Sequence, residues 1–468
     1  MLSVTSASYS LVLSLVNPAL ETLRSTLHTS QLGVSWVLTA YLLSSALLTP
    51  VLGKLGDQQG KKRLLLVALG LLVVGSVVAA STWALPVVIV GRVLQGAGGA
   101  VLPLAFGLIR DLAPTHRVGS AVGIVAAMSS VGGGLGVLLA GPIVDSLGVR
   151  WLFWFPAIAN GAIALLLVKT IPRDGHRSRA GVNWRAALLL SAALVCLLIP
   201  LSLGPESGWL TVSTLLLLVS AVVFAIAWVW VELRAETPLI DMTVFRLKPV
   251  WTANLASLMF GVVLYSAMGY IPSFLQVPTS TGYGLGASVT VSGLLFVPIT
   301  IVMLIAGLAA GPLTRLLNPK TVLILGAIPP VVSFTLLAFM HARAWEVVLA
   351  TAVGGLGFGV ALSALSGVVV HAVPANQTGA AAGMNANIRT IGGAVGAAVV
   401  SSMLGSHLGR FGVPTEAGYR LVFLTLAGAG LLSLIACLLI PAPVTDAVPQ
   451  QEPPDQYVTE LLDQHNSF

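Results

Sequence analysis

Charge is scarce in this chain. Asp, Glu, Lys and Arg together make 8% of its residues, against about 25% in an ordinary soluble domain, so a water-soluble globule is excluded. Cysteine is scarcer still. Cys196 and Cys437 are the only two, each inside an apolar run, which speaks against a disulfide framework or a metal site. None of the seven histidines lies deep in an apolar run, so a buried histidine relay is not expected. No soluble segment is large enough for an ATPase, and no grouping of nucleophile, base and metal ligands occurs, which argues against an enzyme. The net charge of +7 does not imply nucleic acid, because the bases lie in short loops and form no stripe.

What the chain has in plenty is apolar residues, 56% of the total, gathered into runs of about 20, the length that crosses a bilayer as helix. Fourteen such runs are expected, near 4–26, 33–53, 64–82, 85–109, 118–143, 151–171, 185–204, 210–231, 251–275, 289–311, 320–340, 346–371, 379–404 and 420–441. The fold class is therefore an all-α integral membrane protein. The first run has no basic segment before it and no small-residue cleavage site after it, so it is expected to be retained as a span. Met1 falls so near the membrane edge that a start upstream is compatible with it.

Between the second and third runs lies Gly53-Lys54-Leu55-Gly56-Asp57-Gln58-Gln59-Gly60-Lys61-Lys62-Arg63, read here as a tight, charged, water-facing turn. Its glycines allow helix ends to approach, and Asp57 is placed to cap the following helix or to pair with Lys61 or a neighbouring helix. If this turn is cytoplasmic, sixteen of the 23 Lys and Arg residues share its side, five lie opposite, and Arg92 and Arg389 lie within the membrane. That bias puts both chain ends in the cytoplasm. The stretch Gly311-Pro312-Leu313-Thr314-Arg315-Leu316-Leu317-Asn318-Pro319-Lys320 echoes the turn, with Arg315 in the place of Asp57. Two six-helix bundles, 1–171 and 249–441, are thus expected as parallel repeats. They flank a linker, 172–248, with two extra spans, and a disordered cytoplasmic tail follows, 442–468.

The pattern G-x-L-x-D-x-x-G-[RK]-[RK] resembles the loop after the second helix of major facilitator superfamily transporters. Trp36-Val37-Leu38-Thr39-Ala40-Tyr41, Gly91-Arg92-Val93-Leu94-Gln95-Gly96, Arg150-Trp151-Leu152-Phe153, Pro238-Leu239-Ile240-Asp241 and Ile271-Pro272-Ser273-Phe274-Leu275-Gln276 follow in an order similar to that of its fourteen-helix drug:proton antiporter family. The resemblance implies a multi-pass bacterial inner-membrane exporter of amphipathic or hydrophobic small molecules, monomeric, working by alternating access. It implies no cofactor beyond the proton gradient, and a small-molecule substrate and the lipid bilayer as partners. It further implies that Gly53, Asp57, Gly60 and Lys61 form a conformational latch, that Arg92 takes part in proton coupling, and that Arg389 stands for an arginine of the thirteenth helix. Two departures bear on coupling. Asn17 keeps its place in the first-helix motif, but Ser14 replaces a threonine and Val12 stands where an acid is usual. In the fifth-helix motif Gly132, Gly136 and Gly141 remain, while Val137 replaces the proline and Pro142 comes five residues later.

An ionisable group within the membrane needs a cavity or a partner. Arg92 either serves the proton or bonds carbonyls that lock helices together. Glu21, near the outer end of the first helix, either replaces the missing acid by exchanging protons close to Arg92 or is a water-exposed boundary residue. Arg389 shares a helix face with Asn385, and no acid lies deep in the second half to neutralise it. Asn17, Trp36, Tyr41, Tyr265, Met268 and Phe296 are candidates for an adaptable cavity wall, although intramembrane aromatics also pack or face lipid. Pro103, Pro298 and the pair Pro329-Pro330 are expected to kink helices. Export of one dedicated anionic or zwitterionic metabolite or lipid is the competing transport reading, favoured by two buried arginines with few acids. A receptor or scaffold without transport is the third.

Overall fold

The computed structural model describes residues 1–29, 31–171, 183–236, 238, 241–374, 377–409 and 413–441. The expected tail, 442–468, and most of the basic loop before the insert lie outside the described residues. The first half comprises α1 (Leu2–Leu15), α2 (Leu20–Thr26), α3 (Gln31–Gln59), α4 (Lys61–Ala80), α5 (Leu85–Gln95), α6 (Val101–Leu112), α7 (Thr115–Leu147) and α8 (Trp151–Thr170). The insert supplies α9 (Trp184–Ser207) and α10 (Val212–Arg234), followed by the short α11 (Met242–Phe245). The second half comprises α12 (Lys248–Leu275), α13 (Val289–Leu295), α14 (Val297–Leu316), α15 (Pro319–Phe339), α16 (Ala344–Ala372), α17 (Thr378–Ser406) and α18 (Glu416–Leu439).

Among the described residues, thirteen helical stretches are long and apolar enough to cross a bilayer. The fourteenth expected run, the first, is broken. Pro18 stands in a 3-10 turn, Asn17–Ala19, between α1 and α2, where its missing N–H costs no helical hydrogen bond. Two other spans are jointed. The five-residue turn Gly96–Ala100 separates α5 from α6, and Pro298 opens α14 just after α13 ends. Pro103 stands in the first turn of α6, and Pro329 and Pro330 lie inside α15 without interrupting it.

The expected turn over Gly53–Arg63 is much smaller than the sequence suggests. Helix α3 runs on to Gln59, and Gly60 alone separates it from α4, at φ 105. That left-handed value suits glycine and few other residues. Gly53 and Gly56 are helical instead, and serve close packing: a Cβ on Gly53 would stand 2.9 Å from the Gly379 carbonyl oxygen of the other half.

Helix pairing repeats between the halves. In the first, α1 packs on α7, α3 on the α5–α6 joint, and α4 on α5 and α8; in the second, α12 packs on α17, α14 on α16, and α15 on α16 and α18. The halves meet along two related seams, α7 against α14 and α3 against α17. Helix α9 lies over the α3–α17 seam and touches both, with α10 outside it. Thr39 of α3 and Ser202 of α9 share a hydrogen bond, and the Trp209 indole donates to Ser402 of α17 at 2.9 Å.

Candidate functional site

A central cavity lies between the halves. From the first half, α1 lines it with Tyr9, Ser10 and Ser14, α3 with Ser45 and Thr49, and α7 with Ser129 and Ser130. The second half contributes Tyr265 and Met268 of α12, Ser366 of α16, and Asn387, Arg389 and Thr390 of α17. Leu13, Phe106, Leu264, Met303 and Leu362 complete an apolar wall. Small hydroxyls suit this position because they satisfy themselves on their own helix when nothing is bound: Ser14 donates to the Ser10 carbonyl at 2.8 Å and Ser130 to the Ala126 carbonyl at 3.3 Å.

Of the residues expected to line the cavity, Asn17, Tyr265, Met268 and Arg389 do so. Four do not. Tyr41 is 1% exposed and packs beneath Arg92, whose guanidinium carbon stands 4.4 Å from its ring centre. Phe296 is likewise buried, at the α13–α14 joint. Asn385 donates to Asn254 Oδ1 at 2.8 Å and Ser257 Oγ at 2.9 Å, which fastens α17 to α12. Trp36, half-buried in the first turns of α3, lies outside the lining. The hydroxyls of α1 were missed, although Ser6, Ser10 and Ser14 recur every four residues and so mark one helix face. Ser10 and Ser129 share a short hydrogen bond across α1 and α7.

The two intramembrane arginines differ sharply. Arg92 is 0% exposed, donates through Nε to the Val37 carbonyl at 2.9 Å and through Nη1 to Gln95 Oε1 at 2.8 Å, and Gln95 donates in turn to Ser76 Oγ at 2.7 Å. It ties α5 to α3 and α4 and does not reach the cavity. Arg389 is 6% exposed, borders the cavity, and makes no hydrogen bond or ion pair with the described residues. No Asp or Glu stands among the described lining residues. Glu21 belongs to α2, and its side chain is outside the described residues. No group of three or more His, Cys, Asp and Glu is placed to hold a metal among the described residues.

Three polar ties from different parts of the chain converge on the start of α17. Asp57 Oδ2 accepts the Ala380 amide at 3.2 Å, where the unpaired N–H groups of a helix start favour an anion. Arg110 of α6 donates to Thr378 Oγ1 at 2.8 Å and to the Val370 carbonyl. The third comes from the linker: Gln377 donates to Asp241 Oδ2 at 3.3 Å. Burial pushes the Asp241 carboxyl up, but hydrogen bonds from the Thr243 hydroxyl and amide, Gln377 and the Val244 amide outweigh it, holding the group below the usual range. Lys61 supports this face from beneath: its Nζ stands 2.7 Å from Asp111 and 3.8 Å from Asp57.

The fifth-span glycines serve contact in two directions. A Cβ on Gly132 would overlap the Ala7 carbonyl of α1, and one on Gly136 would stand 2.5 Å from Ser14 Oγ. Gly141 faces the other half, where a Cβ would stand 2.6 Å from Thr290 Oγ1. Pro142 lies inside α7, one turn before Asp145, whose Oδ2 accepts from Thr290 at 3.0 Å.

Comparison with known proteins agrees with this architecture. "Multidrug resistance protein 3" of Bacillus subtilis is 27% identical over 376 residues, 79% of this chain and 72% of that one. The "Tetracenomycin C resistance and export protein" of Streptomyces glaucescens is 27% identical over 410 residues, 86% of this chain and 73% of that one. Among solved structures, the human organic anion transporter MFSD10 shares the fold at a TM-score of 0.67 and 16% identity, covering 93% of this chain and 97% of that one. The profile of the Major Facilitator Superfamily matches residues 2–397 and 278–462. The chain is thus a multi-pass membrane protein that belongs to the Major Facilitator Superfamily, a family of transporters and not of enzymes.

Proposed function

We propose that this protein exports amphipathic small molecules by alternating access, driven by proton entry. The observation that carries the reading is the central cavity, mostly apolar with small hydroxyls set into its wall, between two halves that are tied together at the Asp57 face. A wall of Leu, Phe and Met beside small hydroxyls accepts varied shapes at little cost in unpaired polar groups. The names of the bacterial relatives, resistance and export proteins, favour outward transport. Excess Lys and Arg on the Asp57 side favour a cytoplasmic position for that face and for both chain ends. The ties at that face then belong to a state closed to the cytoplasm, and export requires them to part and re-form in each cycle.

Proton drive rests on the family resemblance, with Glu21 as the carboxyl to exchange the proton. Arg92 acts at a distance, by holding α3, α4 and α5 in register. The test is accumulation of an amphipathic dye in inverted vesicles on imposing a pH gradient, with Glu21→Gln beside the parent. The reading expects gradient-dependent accumulation by the parent and its loss in the variant.

A further inference from the structure

We infer that the cavity selects amphipathic molecules that carry an anionic head, a carboxylate, sulfonate or phosphate ester, which pairs with Arg389. The inference rests on the export reading above and adds the substrate class.

The two buried arginines are held differently. A guanidinium inside a membrane protein is expensive unless its N–H groups find acceptors. Arg92 meets that requirement through Nε on Val37, Nη1 on Gln95 and the Tyr41 ring, with Nη2 left over. Arg389 is also buried, at 6% exposed against 0% for Arg92, but makes no hydrogen bond with the described residues and borders open space. It borders the central cavity and also a small adjoining cleft that it shares with Phe106, Ser366 and Asn385.

The neighbours of Arg389 sharpen the assignment. Asn387 is committed elsewhere, donating to the Ala46 carbonyl at 2.6 Å, and Asn385 is committed to α12. Thr390 donates to the Ala386 carbonyl at 3.0 Å, and Ser366 to the Leu362 carbonyl at 2.9 Å. None of these is an anion, and no carboxylate stands among the described lining residues. The field within the cavity is therefore positive on the second-half side. A planar guanidinium offers a fork that matches a carboxylate or phosphate with two parallel hydrogen bonds. A cationic head would meet repulsion from Arg389 without an acid to offset it. Phe106, Leu264 and Met268 supply the apolar surface for the rest of the ligand.

The test compares three dansyl fluorophores of one aromatic body: dansylglycine, its methyl ester, and an analogue ending in trimethylammonium. Binding is followed by fluorescence on the full-length protein in nanodiscs of phosphatidylcholine alone. We expect dansylglycine to bind at least about tenfold more tightly than the ester and the ammonium analogue, as hydrogen bonds to a charged group require. In Arg389→Gln that preference should fall to within about twofold, and in Arg389→Lys, which keeps the charge but loses the fork, it should be intermediate. A parent that binds the ester or the ammonium analogue as tightly as the carboxylate overturns the inference, whether or not the variants fold. So does a preference that survives Arg389→Gln. Repeating the titration with 20% phosphatidylglycerol separates two sources of the anion. Competition by this lipid identifies a lipid headgroup as occupant, and its absence identifies a free organic anion.

Export and selection fail separately in this design. If vesicles accumulate the ammonium analogue but dansylglycine does not bind, export stands and the anionic class falls. If dansylglycine binds through Arg389 yet nothing is moved, the class stands and export falls.

Discussion

Asp57 and Ala380, from opposite halves of the molecule, are joined by a single charge-assisted hydrogen bond of 3.2 Å. The bond sits where α17 begins, and Gly379 admits it because a Cβ there would stand 2.8 Å from the Asp57 carboxylate. Asp57→Asn keeps an acceptor but removes the charge. An anion at a helix start contributes about 0.3–1 kcal/mol, more when partly buried, so the closed Asp57 face should lose several-fold in population. Spin labels at Gln59 and His371, both exposed, should report a larger share of long distances in the variant. An unchanged distance distribution would show that Asp57 does not hold this face shut.

Arg92 is expected to act through stability. Its Nε and Nη1 make two directed hydrogen bonds that a lysine ammonium cannot reproduce. Arg92→Lys should cost about 1–3 kcal/mol and lower the melting temperature in detergent, with the pH profile of transport unmoved. A shifted pH profile at unchanged melting temperature would instead make Arg92 a direct partner of the proton.

Helix α1 approaches α7 so closely at Gly132 that any side chain must displace the Ala7 carbonyl. Gly132→Ala should therefore destabilise by about 1–3 kcal/mol and part the two helices that share the Ser10–Ser129 bond. Gly70, in α4, has nothing within 4 Å of its would-be Cβ, so Gly70→Ala should be neutral or slightly stabilising. Equal melting temperatures for the two variants would contradict the packing described for α1 and α7.

The tie between Asp241 and Gln377 has a definite pH signature. The folded carboxyl lies below its usual range, so its contribution is complete above the unfolded pKa and is lost as pH falls through the folded one. The tie should hold unchanged from about pH 5 to 8 and weaken only in stronger acid. Proteolysis of the 235–247 linker should accelerate at that acidic limit in the parent. In Asp241→Asn it should be faster throughout and nearly independent of pH over the same range.

Thirteen of the fourteen span positions were legible in the sequence because bilayer thickness fixes the length of each apolar run. What failed were questions of rotation. Tyr41 and Asn385 sit in the same kinds of runs as Tyr265 and Arg389, but which of them meets the cavity depends on how each helix turns against its neighbours. The Gly53–Arg63 stretch misled for a related reason. Glycine serves turns and close helix contacts alike, and only the left-handed φ of Gly60 separates the two uses. The α1 hydroxyls carry a readable signal, a four-residue recurrence of Ser6, Ser10 and Ser14, masked because a serine in an apolar helix can satisfy its hydroxyl on its own backbone, as Ser14 does.

The most direct test of the account is proton flux in vesicles that contain the purified protein and a pH-sensitive dye inside. Adding a transported amphipathic compound should collapse an imposed pH gradient in the parent and leave it standing in Glu21→Gln, while both proteins bind the compound equally. A parent that binds anionic, neutral and cationic compounds yet moves protons with none of them would contradict it.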